Sequence, residues 1–314
     1  MQNPNLFIIG VPKSGTTTLY KALKSHPDVY MSPRKEPHYL SLKGRTFVAY
    51  NDYENHMTTI RTHPTPIHNE AAYKKLFDGA NDESIRGEAS TLYLYSKYAP
   101  RQIAQRSPDA RLIALLRHPV ERAYSQFLHH VRDTHETTED FVEAFENEGE
   151  RLDRGPFWHY RRMGHYHGQL ERYYEYFSES QIRVYLMRDL ANDPRRVWKD
   201  VLNFLNVDSS FELPETEKTN STGLPQNRLI HTILSLPWRF PILREIVQRI
   251  PQSVRNVLSS LRKRNINKPK MDTDLRIKLT SRYFEEDIRS LQVLIDRDLT
   301  HWLRRDKSSS IDGK

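Results

Sequence analysis

Apolar positions along this chain fall into short unbroken blocks separated by polar stretches of helical period. Residues 5–10 (Asn-Leu-Phe-Ile-Ile-Gly), 111–116 (Arg-Leu-Ile-Ala-Leu-Leu) and 181–187 (Gln-Ile-Arg-Val-Tyr-Leu-Met) are such blocks, and 84–88 (Ser-Ile-Arg-Gly-Glu) is a shorter, mixed one. Near-continuous apolar runs of this length suit strands covered on both faces. Helical patterns follow each of them, at 15–25, 95–105, 119–131 and 193–205. Strand alternating with helix predicts an α/β fold, a central parallel sheet between two helical layers. Leu275, Leu279, Phe284, Ile288, Leu291 and Leu294 recur at helical spacing and predict a C-terminal helix over about 273–304. Residues 44–68 and 208–227 read as irregular polar stretches, and the tail from Lys307 as disordered. No internal repeat interrupts this order. The expectation is a single domain, 1–314, whose core spans about 5–207.

Composition narrows the class. The chain has 314 residues and no cysteine, which excludes disulfides, thiolate metal sites and a cysteine nucleophile. Its fourteen histidines are scattered, with no H-E-x-x-H pattern, so no metal is expected. No run approaches the ~20 apolar residues of a membrane span, and the N-terminus lacks a signal-peptide pattern. A soluble, cytoplasmic protein is the expectation. The net charge of +8 is concentrated: residues 228–270 carry ten Lys/Arg and one acid. Such a distribution points to one basic segment rather than to a nucleic-acid-binding body. Within 228–264 the arginines interleave with apolar residues, broken by Pro237, Pro241 and Pro251. This basic helical insert can lie on an anionic membrane surface, line a groove for an anionic glycan, or pack as a lid.

The candidate chemistry sits after the first strand. Gly10, Pro12, Lys13, Ser14 and Gly15, followed by Thr16, Thr17 and Thr18, form a turn between strand and helix. A helix N-terminus in that setting binds anions through its N–H groups and dipole. Gly10 and Gly15 have the spacing of a nucleotide P-loop, but Thr16 stands where that motif has its lysine, which here has moved upstream to Lys13. The loop suits a phosphate-like group without suiting Mg-ATP in the usual way. A second signal is Leu116-Arg117-His118-Pro119-Val120-Glu121-Arg122-Ala123-Tyr124-Ser125. Arg117 ends a strand, Pro119 suits the first helical turn, and Ser125 lies about two turns further on. Ligands of open α/β sheets sit beyond the carboxyl ends of the strands, where the 11–18 loop, the 88–90 turn and Arg117 should meet.

These segments resemble the sulfotransferases that use 3′-phosphoadenosine 5′-phosphosulfate (PAPS), in their bacterial and glycan-modifying branches. P-K-S-G-T-T-x-L resembles the family's 5′-phosphosulfate loop and L-R-x-P-x-x-R-x-x-S its 3′-phosphate segment. Residues 35–40 (Lys-Glu-Pro-His-Tyr-Leu) resemble a K-E-P-H-Y-F stretch carrying the catalytic glutamate. The resemblance covers roughly 5–205 and returns at 268–304. It implies a P-loop-like three-layer fold and PAPS as donor, with adenosine 3′,5′-bisphosphate as product and no metal. Lys13, Ser14, Gly15, Thr16, Thr17 and Thr18 would hold the 5′-phosphosulfate; Arg117 and Ser125 would hold the 3′-phosphate. Lys13 would stabilise the leaving phosphate, and Glu36, or else His38, would take the acceptor's proton. Ala89 stands where glycan-modifying relatives often have lysine.

The acceptor is a glycan, a lipid or a small alcohol or phenol, and its contacts are expected in 41–68, 133–163 and 208–264. Tyr50, Tyr53, Phe157, Trp158, Tyr160 and Trp238 are the aromatics there. Two other readings remain at this point. A P-loop kinase would need an acid for magnesium, for which only Glu88 and Asp189 offer themselves. A non-catalytic module for polyanions or membranes would use the loop as an anion clamp.

Overall fold

The computed structural model describes residues 3–41, 67–133, 135–213 and 269–304, with the short pieces 224–225, 250–251, 254 and 266–267. Five strands form one parallel sheet: β1 (Leu6–Gly10), β2 (Val29–Met31), β3 (Ile85–Ala89), β4 (Arg111–Leu116) and β5 (Ile182–Leu186), in the order β2-β3-β1-β4-β5. The helices are α1 (Thr16–Lys24), α2 (Glu70–Lys74), α3 (Ala99–Arg106), α4 (Pro119–Arg132), α5 (Phe141–Glu146), α6 (Tyr166–Tyr174), α7 (Met187–Asn192), α8 (Pro194–Leu205), α9 (Thr273–Tyr283), α10 (Glu285–Leu294) and α11 (Thr300–Leu303).

The strand residues divide by alternation, as the pleat requires. Phe7, Ile9, Leu112, Ala114 and Leu116 pack into one core with residues of α3, α4, α6, α9 and α10. Leu6, Ile8, Ile113 and Leu115 pack into the other, against α1 and α8. Every residue of β1 is buried, which accounts for its unbroken apolar run. On α8, Val197, Trp198, Val201, Leu202 and Leu205 make the buried stripe, and Asp193 caps its start by accepting from Arg196 N.

Several elements depart from the sequence expectation. β3 is shifted one residue, to Ile85–Ala89. Met187 opens α7 instead of ending a strand, because the Asp189 carboxylate accepts from Leu186 N at 3.0 Å and starts a helical turn. The expected helix at 95–105 begins only at Ala99. The expected helix at 273–304 is broken at Phe284, whose φ of −131° ends α9, and again before α11. β2 has three residues and left no readable pattern.

β1 lies at the centre of the sheet, between β3 and β4. The chain leaves β1 toward β2 on one side and later crosses to β4 on the other, so the crevice at the end of β1 is the switch point of this topology. Leu224–Pro225 and Ile266–Asn267 pair antiparallel. The basic insert at 228–264, the 44–68 stretch up to 66 and the tail from Lys307 lie outside the described residues, apart from 250–251 and 254.

Candidate functional site

The loop after β1 is built around two glycines. A Cβ on Gly10 would lie 3.0 Å from Leu94 Cβ and 3.2 Å from the Thr91 carbonyl, so the turn at 91–94 can close on β1 only because Gly10 has none. Gly15 is the N-cap of α1 with φ 94°, a left-handed conformation that a side chain would strain. Lys13 also has φ 69°. Ser14 is fully buried, and its hydroxyl donates to the Val11 carbonyl, closing the turn. No side chain caps the start of α1, whose first turn holds no acid and whose last turn holds Lys21 and Lys24. Its first N–H groups and positive dipole end therefore face the crevice as an anion site. Thr16 is buried there; Thr17 and Thr18 are half-buried.

Lys13 carries the positive charge of this loop. Burial, with Arg132 and Arg117 nearby, pulls its ammonium down to about 8. An anion beside it would reverse that depression. Arg117 leaves the end of β4 and donates from Nη1 to the Lys13 carbonyl at 3.2 Å; its Nε lies 3.5 Å from Glu121 Oε2. Ser125 is buried on α4, two turns beyond Pro119. His118, which follows Arg117, is buried and its Nε2 lies 3.0 Å from the Trp302 carbonyl, which ties the C-terminal segment to the Arg117 turn.

Glu36 and His38 come from the segment after β2. Glu36 N donates to the Ala89 carbonyl at 2.8 Å, so this segment runs along the end of β3. Glu36, at φ 60°, and His38, at φ 53°, are both left-handed. The Glu36 carboxylate pairs with Lys35, accepts from Thr91 Oγ1 at 3.4 Å and lies 3.7 Å from His38 Nε2. Burial pushes its carboxyl up, but the Lys35 ammonium and His38 outweigh burial and hold it well below the usual carboxylate range. His38 is buried, neither ring nitrogen has a hydrogen-bond partner, and its ring meets the edge of Phe157 at 6.1 Å.

The crevice thus gathers the 13–18 loop, Arg117 and the Glu36–His38 segment at the carboxyl ends of β1, β4 and β3. Three residues at the end of α4 were missed by sequence reasoning. Arg132 binds Asp133 at 2.7 Å and 3.1 Å and lies 2.6 Å from His129 Nδ1, and this cluster acts on Lys13 electrostatically. Burial, with Lys13 and Arg132, drives the His129 imidazole down to about 3. Only their proximity in sequence to Ser125 could have signalled them.

Of the candidate acceptor aromatics, Phe157 reaches His38, whereas Trp158 and Tyr160 are core residues packed on His130 and Phe127. Tyr50, Tyr53 and Trp238 lie outside the described residues. Neither acid weighed for magnesium is available. Glu88 is fully buried among hydroxyl groups, and Asp189 pairs with Arg297 at 2.9 Å. Among the described residues no group of His, Asp and Glu has the arrangement of a metal site, and no helix is long and apolar enough to cross a membrane.

Comparison with known proteins gives a consistent picture. The model of the sulfotransferase family matches residues 4–211. The crystal structure of a sulfotransferase from Alicyclobacillus acidocaldarius superposes with a TM-score of 0.73 at 31% identity, over 97% of this chain and 100% of that one. Carbohydrate sulfotransferase 15 of Mus musculus is 28% identical over 289 residues, covering 78% of this chain and 51% of the relative. Heparan sulfate glucosamine 3-O-sulfotransferase 6 of Homo sapiens is 28% identical over 204 residues, 65% of this chain and 52% of the relative. The chain thus spans about half the length of these two mammalian relatives.

Proposed function

The chain belongs to the sulfotransferase family, and on that premise we propose that it transfers a sulfuryl group from PAPS to a hydroxyl or amine of an acceptor, a glycan by preference. The observation that carries this reading is the meeting of Lys13, Arg117 and Glu36 at one crevice, three groups up to 104 residues apart in the chain that a mere anion clamp would not need together.

In this reading the start of α1 and the 13–18 loop receive the 5′-phosphosulfate. Arg117 uses Nη1 on the Lys13 carbonyl and Nε on Glu121, leaving Nη2 for the 3′-phosphate, with Ser125 on the adjoining helix. A planar guanidinium suits phosphate oxygens better than an ammonium. As the acceptor oxygen bonds to sulfur, the bond from sulfur to the phosphate oxygen breaks, and negative charge gathers on the departing phosphate beside Lys13. The acceptor's proton goes to Glu36. A carboxylate held this acidic is a weak base toward a free alcohol. It suffices once the acceptor oxygen has begun to bond to sulfur and its proton has become acidic, and Lys35 and His38 keep it ionised until then. Positioning and charge stabilisation supply the rest, as in phosphoryl transfer.

A glycan acceptor is favoured because the two mammalian relatives are named for carbohydrate and heparan sulfate substrates. A lipid acceptor would draw on the basic insert at 228–264 instead, with peripheral contact to an anionic membrane. Incubation with [35S]PAPS and separate panels of desulfated glycosaminoglycans, lipids and small phenols tests both. Label on a glycan supports the reading; label only on lipid replaces the acceptor; ATP-dependent phosphorylation requiring magnesium would overturn it.

A further inference from the structure

Behind the crevice, the Glu88 carboxylate makes no ion pair among the described residues and has three hydroxyl groups around it. Tyr73 and Tyr93 donate to Oε1, the latter at 2.9 Å, and Ser90 donates to Oε2 at 2.8 Å. Two of those hydroxyls also accept from the backbone in front of them. Ser90 Oγ accepts from His38 N at 3.1 Å, and Tyr93 Oη accepts from Leu40 N at 3.2 Å. Each hydroxyl can donate only one proton. With that proton committed to Glu88, its oxygen lone pairs face the 38–40 amides. The carboxylate therefore sets the direction of both relays.

The segment so held needs holding. Glu36 and His38 are non-glycine residues with positive φ, on the two sides of Pro37. Each is a strained backbone conformation that the surroundings must hold in place. Other anchors exist at the two ends: Glu36 N on the Ala89 carbonyl at 2.8 Å and Ile67 N on the Pro37 carbonyl at 2.9 Å. The His38 and Leu40 amides are anchored through Ser90 and Tyr93.

We propose that Glu88 is a positioning residue that, through the Ser90 and Tyr93 hydroxyls, fixes the strained 36–40 segment and so aims Glu36 and His38 into the crevice. It rests on the reading of that crevice as the transfer site, although the relay itself can be measured without an acceptor. Burial raises the Glu88 carboxyl to about 7, and the three donors oppose that rise. The groups facing it are those three hydroxyls, with the Tyr173 ring nearby.

The test is amide hydrogen exchange in the full chain saturated with adenosine 3′,5′-bisphosphate, together with carboxyl 13C NMR titration of Glu36. Ser90→Ala should raise exchange at His38 at least tenfold, Tyr93→Phe at Leu40, and Glu88→Gln at both. In all three the Glu36 carboxyl should titrate closer to the ordinary carboxylate range. Tyr73→Phe removes a donor that holds no loop amide, so it should leave both amides and the Glu36 titration unchanged. Should Glu88→Gln not fold, the two single-hydroxyl variants decide. Unchanged exchange at His38 in Ser90→Ala and at Leu40 in Tyr93→Phe would overturn the proposal, as would a Tyr73→Phe effect equal to theirs. A Glu36→Gln enzyme that kept its turnover would instead sink the base assignment and leave the relay standing.

Discussion

Arg117 Nη1 donates to the carbonyl oxygen of Lys13 at 3.2 Å, joining two segments 104 residues apart in the chain. The bond braces a residue with left-handed backbone, φ 69°, at the point where the anion loop turns. It also sets a guanidinium beside the ammonium it braces, and that proximity helps to depress Lys13. Burial apart, Arg117 and Arg132 together depress Lys13 more than the nearby Asp133 and Glu36 raise it, and an anionic ligand would reverse that depression.

Ligand binding should therefore take up protons. Lys13 titrates near 8 in the free protein, and a phosphate-bearing ligand moves it back toward its ordinary value. Calorimetry with adenosine 3′,5′-bisphosphate at pH 8–9, in buffers of different ionisation enthalpy, should show uptake on the order of half a proton. Lys13→Met should abolish that uptake.

The same depression makes a stability prediction. A lysine whose folded value lies below its unfolded one destabilises the fold fully below about pH 8, and the cost disappears as pH rises through about 10.5. The unliganded Lys13→Met variant should melt higher than the parent at pH 7, and the two should converge by pH 11. Equal melting temperatures at pH 7 would contradict this.

Glu36→Gln should lower turnover roughly 10²–10⁴-fold while leaving bisphosphate affinity within about twofold. Because Lys35 and His38 keep Glu36 ionised, the acid limb of the parent's rate profile should fall below the usual carboxylate range. A limb near neutrality would point to an imidazole and to His38→Ala as the damaging variant.

Gly15→Ala should cost about 1 kcal/mol, since φ 94° is strained for any residue with a Cβ. Urea melts should show a lower midpoint at an unchanged slope. The nearest side-chain atom, Leu190 Cδ2, would be 3.8 Å from the new methyl, so strain rather than a clash is the cause.

The sheet and the loop after β1 were legible because their signals are local. β1 and β4 are apolar without interruption, and Gly10, Lys13 and Gly15 lie within six residues of one another. Arg117 could be read from its position at a strand end. The support of the Glu36–His38 segment could not, since Ser90 and Tyr93, both bonded to Glu88, meet a loop some fifty residues earlier, and no spacing records that contact. The α7 start escaped notice because Leu186 and Met187 continue the apolar run of β5, while the group that turns the chain is the Asp189 carboxylate. Trp158 and Tyr160 lie in a segment where acceptor contacts are expected, yet aromatic side chains bury readily and these two fill core beside His130.

The Lys13–Arg117 crevice, read as the donor site, should take both phosphate groups of the bisphosphate. Calorimetric titration with adenosine 3′,5′-bisphosphate and, separately, ATP, both without magnesium, tests it most directly. Bisphosphate binding is expected, weakened at least tenfold in Arg117→Ala and not restored by Arg117→Lys. No binding of the bisphosphate, with ATP binding once magnesium is added, would contradict it.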